Sequence, residues 1–344
     1  MTQARNEAVT RETRKQIADL DSLGWYHTIE LPGGRALRGL QSVDLLRKRL
    51  SRFPIGGDLR GMRVLDVGAW DGWFSFEMER RGAQVVALDL VHNPKLMLAR
   101  DPLKSKVEYV VADICKASSA DLGKFDIVLF LGVLYHLKHP LLALEKVCDL
   151  TTGFACVESY VTDTGEDLSA PPMLEFYEGT ELRGQFDNWV GPNTPCLLAM
   201  ARAAGFAVVE LEGVFEQRAH VTCHRKWQEA HGSTAGPSPA PTLICLENAV
   251  SRDHAFSTSS DDYVSLWFKA NELDLCPDNV RVEIGSYAAR PVQVNSTGGD
   301  GGIAICKLPP GLTRGKHQVR MRTAGSAFSN AGSIPSIYLL KSVE

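Results

Sequence analysis

The sequence lacks three features that would each point directly to a class of protein. Its eight cysteines include no Cys-x-x-Cys pair, which argues against a zinc site and a disulfide framework. The longest nearly apolar run, residues 125–137, is too short to span a bilayer as a helix. There is no basic excess, since 37 Lys and Arg accompany 41 Asp and Glu, and this argues against a nucleic-acid partner.

Residues 1–16 are polar and charged, unlike a signal peptide or a membrane anchor. We therefore expect a cytoplasmic protein with reduced thiols and no membrane contact.

Three regions differ in sequence pattern and predict domains at residues 1–55, 56–249 and 250–344. The first has a mostly helical pattern and predicts an N-terminal helical extension. In the second, short apolar runs alternate with helix-length segments, which predicts an α/β domain with a parallel sheet. In the third, helical periodicity disappears and alternating runs are separated by turn residues, which predicts an all-β sandwich.

The stretch VLDVGAWDGWFS, residues 64–75, joins a strand to a helix through a glycine turn. Nicotinamide dinucleotides favour Gly-x-Gly-x-x-Gly at such a turn, and a P-loop ends in Gly-Lys-Ser/Thr. The dinucleotide motif is absent because Gly68 and Gly72 are separated by Trp70 and two other residues. The P-loop motif is absent because no Gly-Lys-Ser/Thr ends the turn. A phosphate-free cofactor such as S-adenosylmethionine needs only close backbone approach at one or two points and a nearby acid, here Asp66.

Acidic residues also end the next two predicted strands. Asp89 is placed to accept hydrogen bonds from ribose hydroxyls, and Asp113 from an adenine amino group, at the sheet edge where α/β proteins bind ligands. The alternative for each Asp alone is a loop or helix cap. The predicted cofactor-binding residues are Asp66, Gly68, Trp70, Gly72, Asp89, Leu90, Asp113, Ile114 and Leu131.

With these motifs, residues 60–249 resemble the class I S-adenosylmethionine-dependent methyltransferases. The resemblance implies a Rossmann-like sheet of seven strands whose last strand is antiparallel, which we place at residues 242–247. It also implies S-adenosylmethionine as cofactor and S-adenosylhomocysteine as product. That family usually has glycine where this chain has Trp70, and we expect the indole to pack beside the loop.

The segment FLGVLYHLKHP, residues 130–140, sharpens the resemblance toward the tRNA wobble-uridine carboxymethyltransferase family and its relatives in small-molecule and glycan pathways. The tRNA enzymes bind a carboxylated cofactor with a lysine before the first strand and an arginine entering the last strand. The corresponding residues, 25–34 and 239–244, include neither, and only Tyr135 of that set has a counterpart. This favours unmodified S-adenosylmethionine.

Methyl transfer is an in-line displacement at a sulfonium, to which a protein contributes positioning and, for a hydroxyl acceptor, a base. The predicted catalytic residues follow strand ends or lie in the long irregular segment 163–193, and they are His136, Tyr135, Glu158 and Glu175. The predicted substrate-binding residues are Tyr26, His27, Tyr177, Asn188, Trp189, Asn193 and His220. Purely structural roles are alternatives for each histidine and for the aromatic residues of the segment. No compact ligand spacing predicts a metal site.

We therefore predict a methyltransferase that O-methylates a small molecule, a natural product or a glycan. tRNA modification is the enzymatic alternative. A degenerate fold that only holds the cofactor and contacts partners through the β-domain is the non-enzymatic one, and Trp70 alone favours it. The sequence leaves open the role of the β-domain and whether the chain forms a homodimer.

Overall fold

The computed structural model describes residues 20–227, 239–257, 262–270, 275–298, 300–310, 312–323, 329 and 332–334. Residues 1–19 of the predicted N-terminal extension lie outside these described residues.

For residues 20–55, the prediction of a mostly helical extension is wrong. Leu20 and Asp21 are helical, and after them four short strands precede one helix: β1 (Trp25–His27), β2 (Ile29–Leu31), β3 (Arg35–Leu37), β4 (Gly39–Gln41) and α1 (Val43–Leu50). In β1 and β2 the side chains alternate between buried and exposed, the period of two that a half-buried strand requires. The turn at 32–34 reverses the chain so that β2 and β3 pair antiparallel. We call residues 20–53 the N-terminal cap.

The methyltransferase-like sequence folds into a mostly parallel sheet flanked by helices. Its strands are β5 (Arg63–Val67), β6 (Gln84–Asp89), β7 (Glu108–Val111), β8 (Phe125–Leu131), β9 (Thr151–Tyr160), β12 (Val208–Phe215) and β13 (Arg218–His224). The helices are α2 (Trp73–Arg80), α3 (Pro94–Leu103), α4 (Ser119–Leu122), α5 (Pro140–Leu150) and α6 (Thr194–Ala203). Between β9 and α6 lies a small hairpin of β10 (Leu174–Phe176) and β11 (Val190–Pro192).

The strand order is β12-β13-β9-β8-β5-β6-β7, and β13 runs antiparallel to both of its neighbours. Two apolar cores cover the two faces of the sheet. The predicted Rossmann-like α/β architecture is confirmed.

The prediction that residues 242–247 form the last strand of this sheet is wrong. The antiparallel strand is β13, which follows β12 through a two-residue turn at Glu216 and Gln217. Both turn residues have positive φ, 53° and 60°, as type I′ hairpin turns require. Asn-Gly usually marks such a turn, and its absence hid the hairpin. Because β13 is antiparallel, it begins at the carboxyl edge of the sheet, where the parallel strands end.

The C-terminal β region is antiparallel throughout its described strands. It comprises β14 (Thr242–Asn248), β15 (Tyr263–Lys269), β16 (Val280–Ile284), β17 (Tyr287–Ala289), β18 (Pro291–Gly298), β19 (Gly301–Lys307), β20 (His317–Thr323) and β21 (Gly332–Ile334). They form two four-stranded sheets around a common apolar core. Residues 242–248 therefore lie in this region and not in the methyltransferase sheet.

The C-terminal β region contacts the sheet at its amino edge, where the parallel strands begin. Lys124 Nζ, just before β8, donates to the Tyr287 hydroxyl at 3.0 Å. Arg225, just after β13, donates to the Pro310 carbonyl at 3.4 Å. The N-terminal cap and residues 163–193 make contacts at the carboxyl edge, at the other end of the strands.

All eight cysteines are unpaired, in agreement with the absence of a disulfide framework. Four of them are buried, whereas Cys245 is exposed. Across the described part of the chain, no helix combines the length and apolarity needed to cross a membrane.

Candidate active site

The loop after β5 is held in one conformation by its glycines and by Asp66. Gly68 has a φ of 72°, and a side chain there would overlap a methyl group of Val133. Gly72, with a φ of 92°, caps the N-terminus of α2. Asp66 is buried and accepts a hydrogen bond from Ser75 Oγ at 2.6 Å. Burial raises the pKa of Asp66 to about 6 despite this hydrogen bond. Asp66 therefore joins the end of β5 to the first turn of α2 and holds the loop between them.

Trp70 lies in the same loop in a left-handed conformation, with a φ of 53°. Such a conformation costs a residue with a β-carbon about 1–2 kcal/mol. The Trp70 N–H donates to Asp89 Oδ2 at 2.9 Å, and Val91 N–H donates to Oδ1 at 3.2 Å. Asp89 is buried, and each of its carboxylate oxygens accepts one of these hydrogen bonds and can accept another.

The third strand end carries a capping carboxylate. Asp113 Oδ1 accepts from Cys115 N–H at 2.9 Å and caps the 3₁₀ turn 114–116, the alternative anticipated for this residue. Ile114 is buried, while Leu131, at the end of β8, is half-buried. Leu90, directly after Asp89, is exposed. The predicted cofactor residues therefore lie along one edge of the sheet.

Asp71 ties the N-terminal cap to the cofactor loop, and the sequence analysis missed it. Its buried carboxylate accepts from the Tyr26 and His27 backbone N–H groups at 2.8 and 2.9 Å and also pairs with His27 Nδ1. His27 is thus engaged by the loop. Tyr26, also predicted to bind substrate, is partly exposed, and its hydroxyl accepts from Gln41 at 2.7 Å.

Glu158, at the end of β9, is enclosed by two arginines. Its side chain is 1% exposed. Arg49 Nη2, from α1, donates to Oε2 at 2.7 Å, and Arg218, the first residue of β13, pairs with both oxygens. Burial alone would raise the pKa of Glu158, but Arg218 and Arg49 outweigh it and lower the pKa to about 2. Glu158 is therefore a permanent carboxylate that joins three elements of the fold.

His220 lies next to this ion pair and is buried. Its Nδ1 lies 3.1 Å from the Arg218 carbonyl and its Nε2 lies 2.9 Å from Arg52 Nη1. These partners place the proton on Nδ1 and leave Nε2 as acceptor. Burial lowers the pKa of His220 to about 4, so the imidazole is neutral at pH 7.

Tyr135 and His136 lie in the 3₁₀ turn that follows β8. The Tyr135 hydroxyl lies 3.2 Å from both terminal nitrogens of Arg218, and burial raises the pKa of Tyr135 although the Arg218 charge opposes this. His136 Nδ1 lies 2.9 Å from the Asp187 carbonyl, and Trp189 N–H donates to the Tyr135 carbonyl at 2.8 Å. Residues 187–189 are therefore bound to the turn that carries both side chains.

Residues 163–193, which we call the lid, follow β9 and begin near the carboxyl edge of the sheet. Within it the Tyr177 hydroxyl donates to Glu175 at 2.9 Å, and burial raises the pKa of this phenol. Asn193 caps α6 and also binds the backbone at Met173. Asn188 is buried and donates to the Leu182 carbonyl at 3.1 Å. Trp189 makes a cation–π contact with Lys138, whose Nζ is 4.0 Å from the ring centre.

A cavity of about 310 Å³ lies within the lid, and Thr162, which directly precedes the lid, also lines it. Its lining consists of Thr162, Asp163, Thr164, Glu166, Asp167, Ala170, Met173, Glu175 and Asn193. The lining includes four carboxylates, two hydroxyls and an amide but no basic side chain. Among the described residues, no group of three or more His, Cys, Asp or Glu side chains is arranged to hold a metal ion.

The structure separates the predicted residues into three groups. Asp66, Gly68, Gly72 and Asp89 shape the loop after β5, whereas Glu158, His27 and His220 are bound by Arg49, Asp71 and Arg52, respectively. Glu175, Tyr177 and Asn193 belong to the lid. The sequence analysis overlooked Arg49, Arg52 and Arg218 because they come from segments far from the motifs.

The family model described as "Methyltransferase domain" matches residues 38–211, just over half of the chain. Magnesium-protoporphyrin O-methyltransferase of Rhodobacter capsulatus is 38% identical over 96 residues, 26% of this chain and 40% of that protein. tRNA U34 carboxymethyltransferase of Syntrophotalea carbinolica is 31% identical over 155 residues, 43% of this chain and 45% of that protein. The matches thus span less than half the length of these curated relatives.

Among solved structures, the N-terminal domain of EvdMO1 with S-adenosylhomocysteine bound is 22% identical, with a TM-score of 0.44. The similarity covers 62% of this chain and 96% of that domain. The resemblance drawn from the sequence motifs is confirmed by the family match. The chain belongs to the methyltransferase domain family, whose cofactor is S-adenosylmethionine.

Proposed function

We propose that this chain transfers the methyl group of S-adenosylmethionine to a hydroxyl oxygen of a neutral, hydroxyl-rich small molecule or glycan. The observation that carries the proposal is that two features follow parallel strands of the sheet at their carboxyl ends. These are the glycine loop with Asp89 beside it, and the lid cavity lined by hydroxyls, an amide and carboxylates.

The loop suits the predicted cofactor. Gly68 has the positive φ that the tight turn after β5 requires, and Asp89 has carboxylate lone pairs for ribose hydroxyls. Leu90 is an exposed apolar side chain next to that carboxylate, as adenine would require. When bound, S-adenosylmethionine supplies an electrophilic methyl group on a sulfonium, so the protein mainly has to position the acceptor.

His136 is the base in this proposal. With Nδ1–H donated to the Asp187 carbonyl, its Nε2 carries the lone pair and takes the hydroxyl proton. Glu158 is unsuited to that task because its pKa of about 2 leaves it a weak base. Together with Arg218 it positions Tyr135 at the same edge.

The lining of the cavity defines the acceptor. Carboxylates accept hydrogen bonds from sugar or polyol hydroxyls. An anionic acceptor would meet four carboxylates with no cation among the lining residues. Neutral hydroxylated acceptors are therefore favoured over carboxylates and phosphates.

Calorimetric titration with S-adenosylhomocysteine, repeated on Asp89→Ala, tests the cofactor site. Binding to the native chain that is lost in a folded variant supports the proposal. Acceptors are then screened by mass spectrometry for a gain of one methyl group, with His136→Gln compared with His139→Gln as a control on a neighbouring histidine. Failure of the native chain to bind S-adenosylhomocysteine would refute the cofactor site. Equal turnover in both histidine variants would refute the role of His136 as the base.

One observation favours a second candidate, tRNA wobble-uridine modification. The predicted absence of an arginine entering the last strand depended on the wrong strand, because β13 begins with Arg218 and its guanidinium contacts Tyr135. Against this candidate, Glu158 already pairs with that guanidinium. Competition between S-adenosylmethionine and its carboxylated form decides the question, since preference for the carboxylated form would favour tRNA chemistry.

A further inference from the structure

Trp70 differs from the other tryptophan of the cofactor loop in ways that packing does not explain. Trp73, three residues later, is buried in the core beneath the loop, whereas Trp70 is 47% exposed. Its backbone has a positive φ, a conformation that glycine adopts without strain. A bulky residue thus occupies a strained position without burying its ring in the core. Strain of this kind is typical of binding sites.

The surroundings of Trp70 indicate what its ring contacts. The backbone N–H of Trp70 donates to the Asp89 carboxylate. The two residues that follow Asp89, Leu90 and Val91, have side chains that are 63% and 61% exposed. Three exposed apolar side chains therefore belong to residues whose backbone adjoins or binds the buried Asp89 carboxylate, at the carboxyl edge of the sheet. Grouped exposed apolar side chains rimmed by polar groups mark a binding surface.

We propose that the Trp70 indole covers the nucleoside half of the cofactor and so sets how tightly S-adenosylmethionine and S-adenosylhomocysteine are held. This inference rests on the proposed function and adds a specificity residue to it. The Asp89 carboxylate binds the ribose, the Trp70 indole and the Leu90 side chain form apolar walls for the nucleoside, and the Trp70–Asp89 hydrogen bond sets the distance between wall and carboxylate.

Trp70→Gly separates this role from a packing role. Glycine relieves the strain of the positive φ, and this gain exceeds the entropy that glycine adds to the unfolded chain, so the variant unfolds at the same temperature as the native chain or higher. At the same time the dissociation constant for S-adenosylhomocysteine rises between about five-fold and one-hundred-fold, the loss typical of removing an aromatic ring stacked on a base. The dissociation constant for adenosine rises by a similar factor, because the contact lies on the nucleoside.

Lys104→Gly is the matched control. Lys104 is also a non-glycine residue with positive φ, 52°, but it ends α3, away from the carboxyl edge. Its glycine variant gains stability with unchanged affinity. Native affinity in Trp70→Gly, or a loss of stability with no loss of affinity, overturns the inference. If the native chain itself fails to bind S-adenosylhomocysteine, the proposed function fails instead.

Discussion

Replacing Glu158 by glutamine removes the negative charge that holds Arg49 and Arg218 at the carboxyl edge. The pKa of this carboxyl is lowered to about 2, against about 4.3 for an unperturbed glutamate. Each pKa unit is worth about 1.4 kcal/mol, so the ionised form contributes about 3 kcal/mol to the free energy of unfolding. Removing one partner of a buried ion pair costs a similar amount, about 3–5 kcal/mol.

The contribution depends on pH in a defined direction. Because the folded pKa is lower than the unfolded one, the stabilisation is complete above about pH 5 and is lost as the pH falls from about 4.3 to 2. The native chain and Glu158→Gln should therefore differ by about 3 kcal/mol at pH 7 and converge toward pH 2.

Urea denaturation followed by tryptophan fluorescence at pH 7, 5, 4 and 3 measures both effects. Glu108→Gln, which alters an exposed glutamate at the start of β7, is the control and should leave the free energy of unfolding unchanged. Equal stability of the native chain and Glu158→Gln at pH 7, together with loss of methyl transfer alone, would show that Glu158 is a base and would refute the structural assignment.

Gly68→Ala should destabilise the chain by about 2–4 kcal/mol, since the new methyl group combines a strained φ with overlap on Val133. Val133→Ala in the same chain should restore part of the loss in thermal unfolding. Asp71→Ala removes the carboxylate oxygen that accepts from both the Tyr26 and the His27 N–H groups, so hydrogen exchange at these two amides should accelerate while exchange in β8 stays slow. Asp66 and His220 should make opposite contributions to the pH dependence of the free energy of unfolding. The pKa of Asp66 is raised to about 6, so its stabilising effect grows as the pH falls from about 6 to 4. That of His220 is lowered to about 4, so stability is lost as the pH falls from about 6.5 to 4. His220→Asn should therefore gain stability relative to the native chain on acidification to pH 4, and a parallel pH profile would contradict this.

The cofactor loop was predictable because its signals are local. Asp66, Gly68 and Gly72 lie within seven residues, and Asp89 ends the next strand. Parallel strands place such residues at one edge whatever the rest of the chain does.

The ion pairs around Glu158 were not predictable in the same way. Arg49 is 109 residues from Glu158 in sequence and Arg218 is 60 residues away. Their meeting depends on the cap folding as strands and on the hairpin at Glu216 and Gln217, neither of which has a strong sequence signal. The domain boundary at residue 250 was predicted from the change between helical and alternating sequence patterns, which does not show that β14 pairs with β15.

The attachment of the C-terminal β region at the amino edge has a practical consequence for tethering. Along β9, Glu158 lies seven residues beyond Thr151, which corresponds to about 23 Å of extended strand. A chain immobilised on a bead or fused to a carrier through its C-terminal β region would present the opposite edge outward, with that distance as clearance. Bulky acceptors could then approach Tyr135 and His136 without meeting the support.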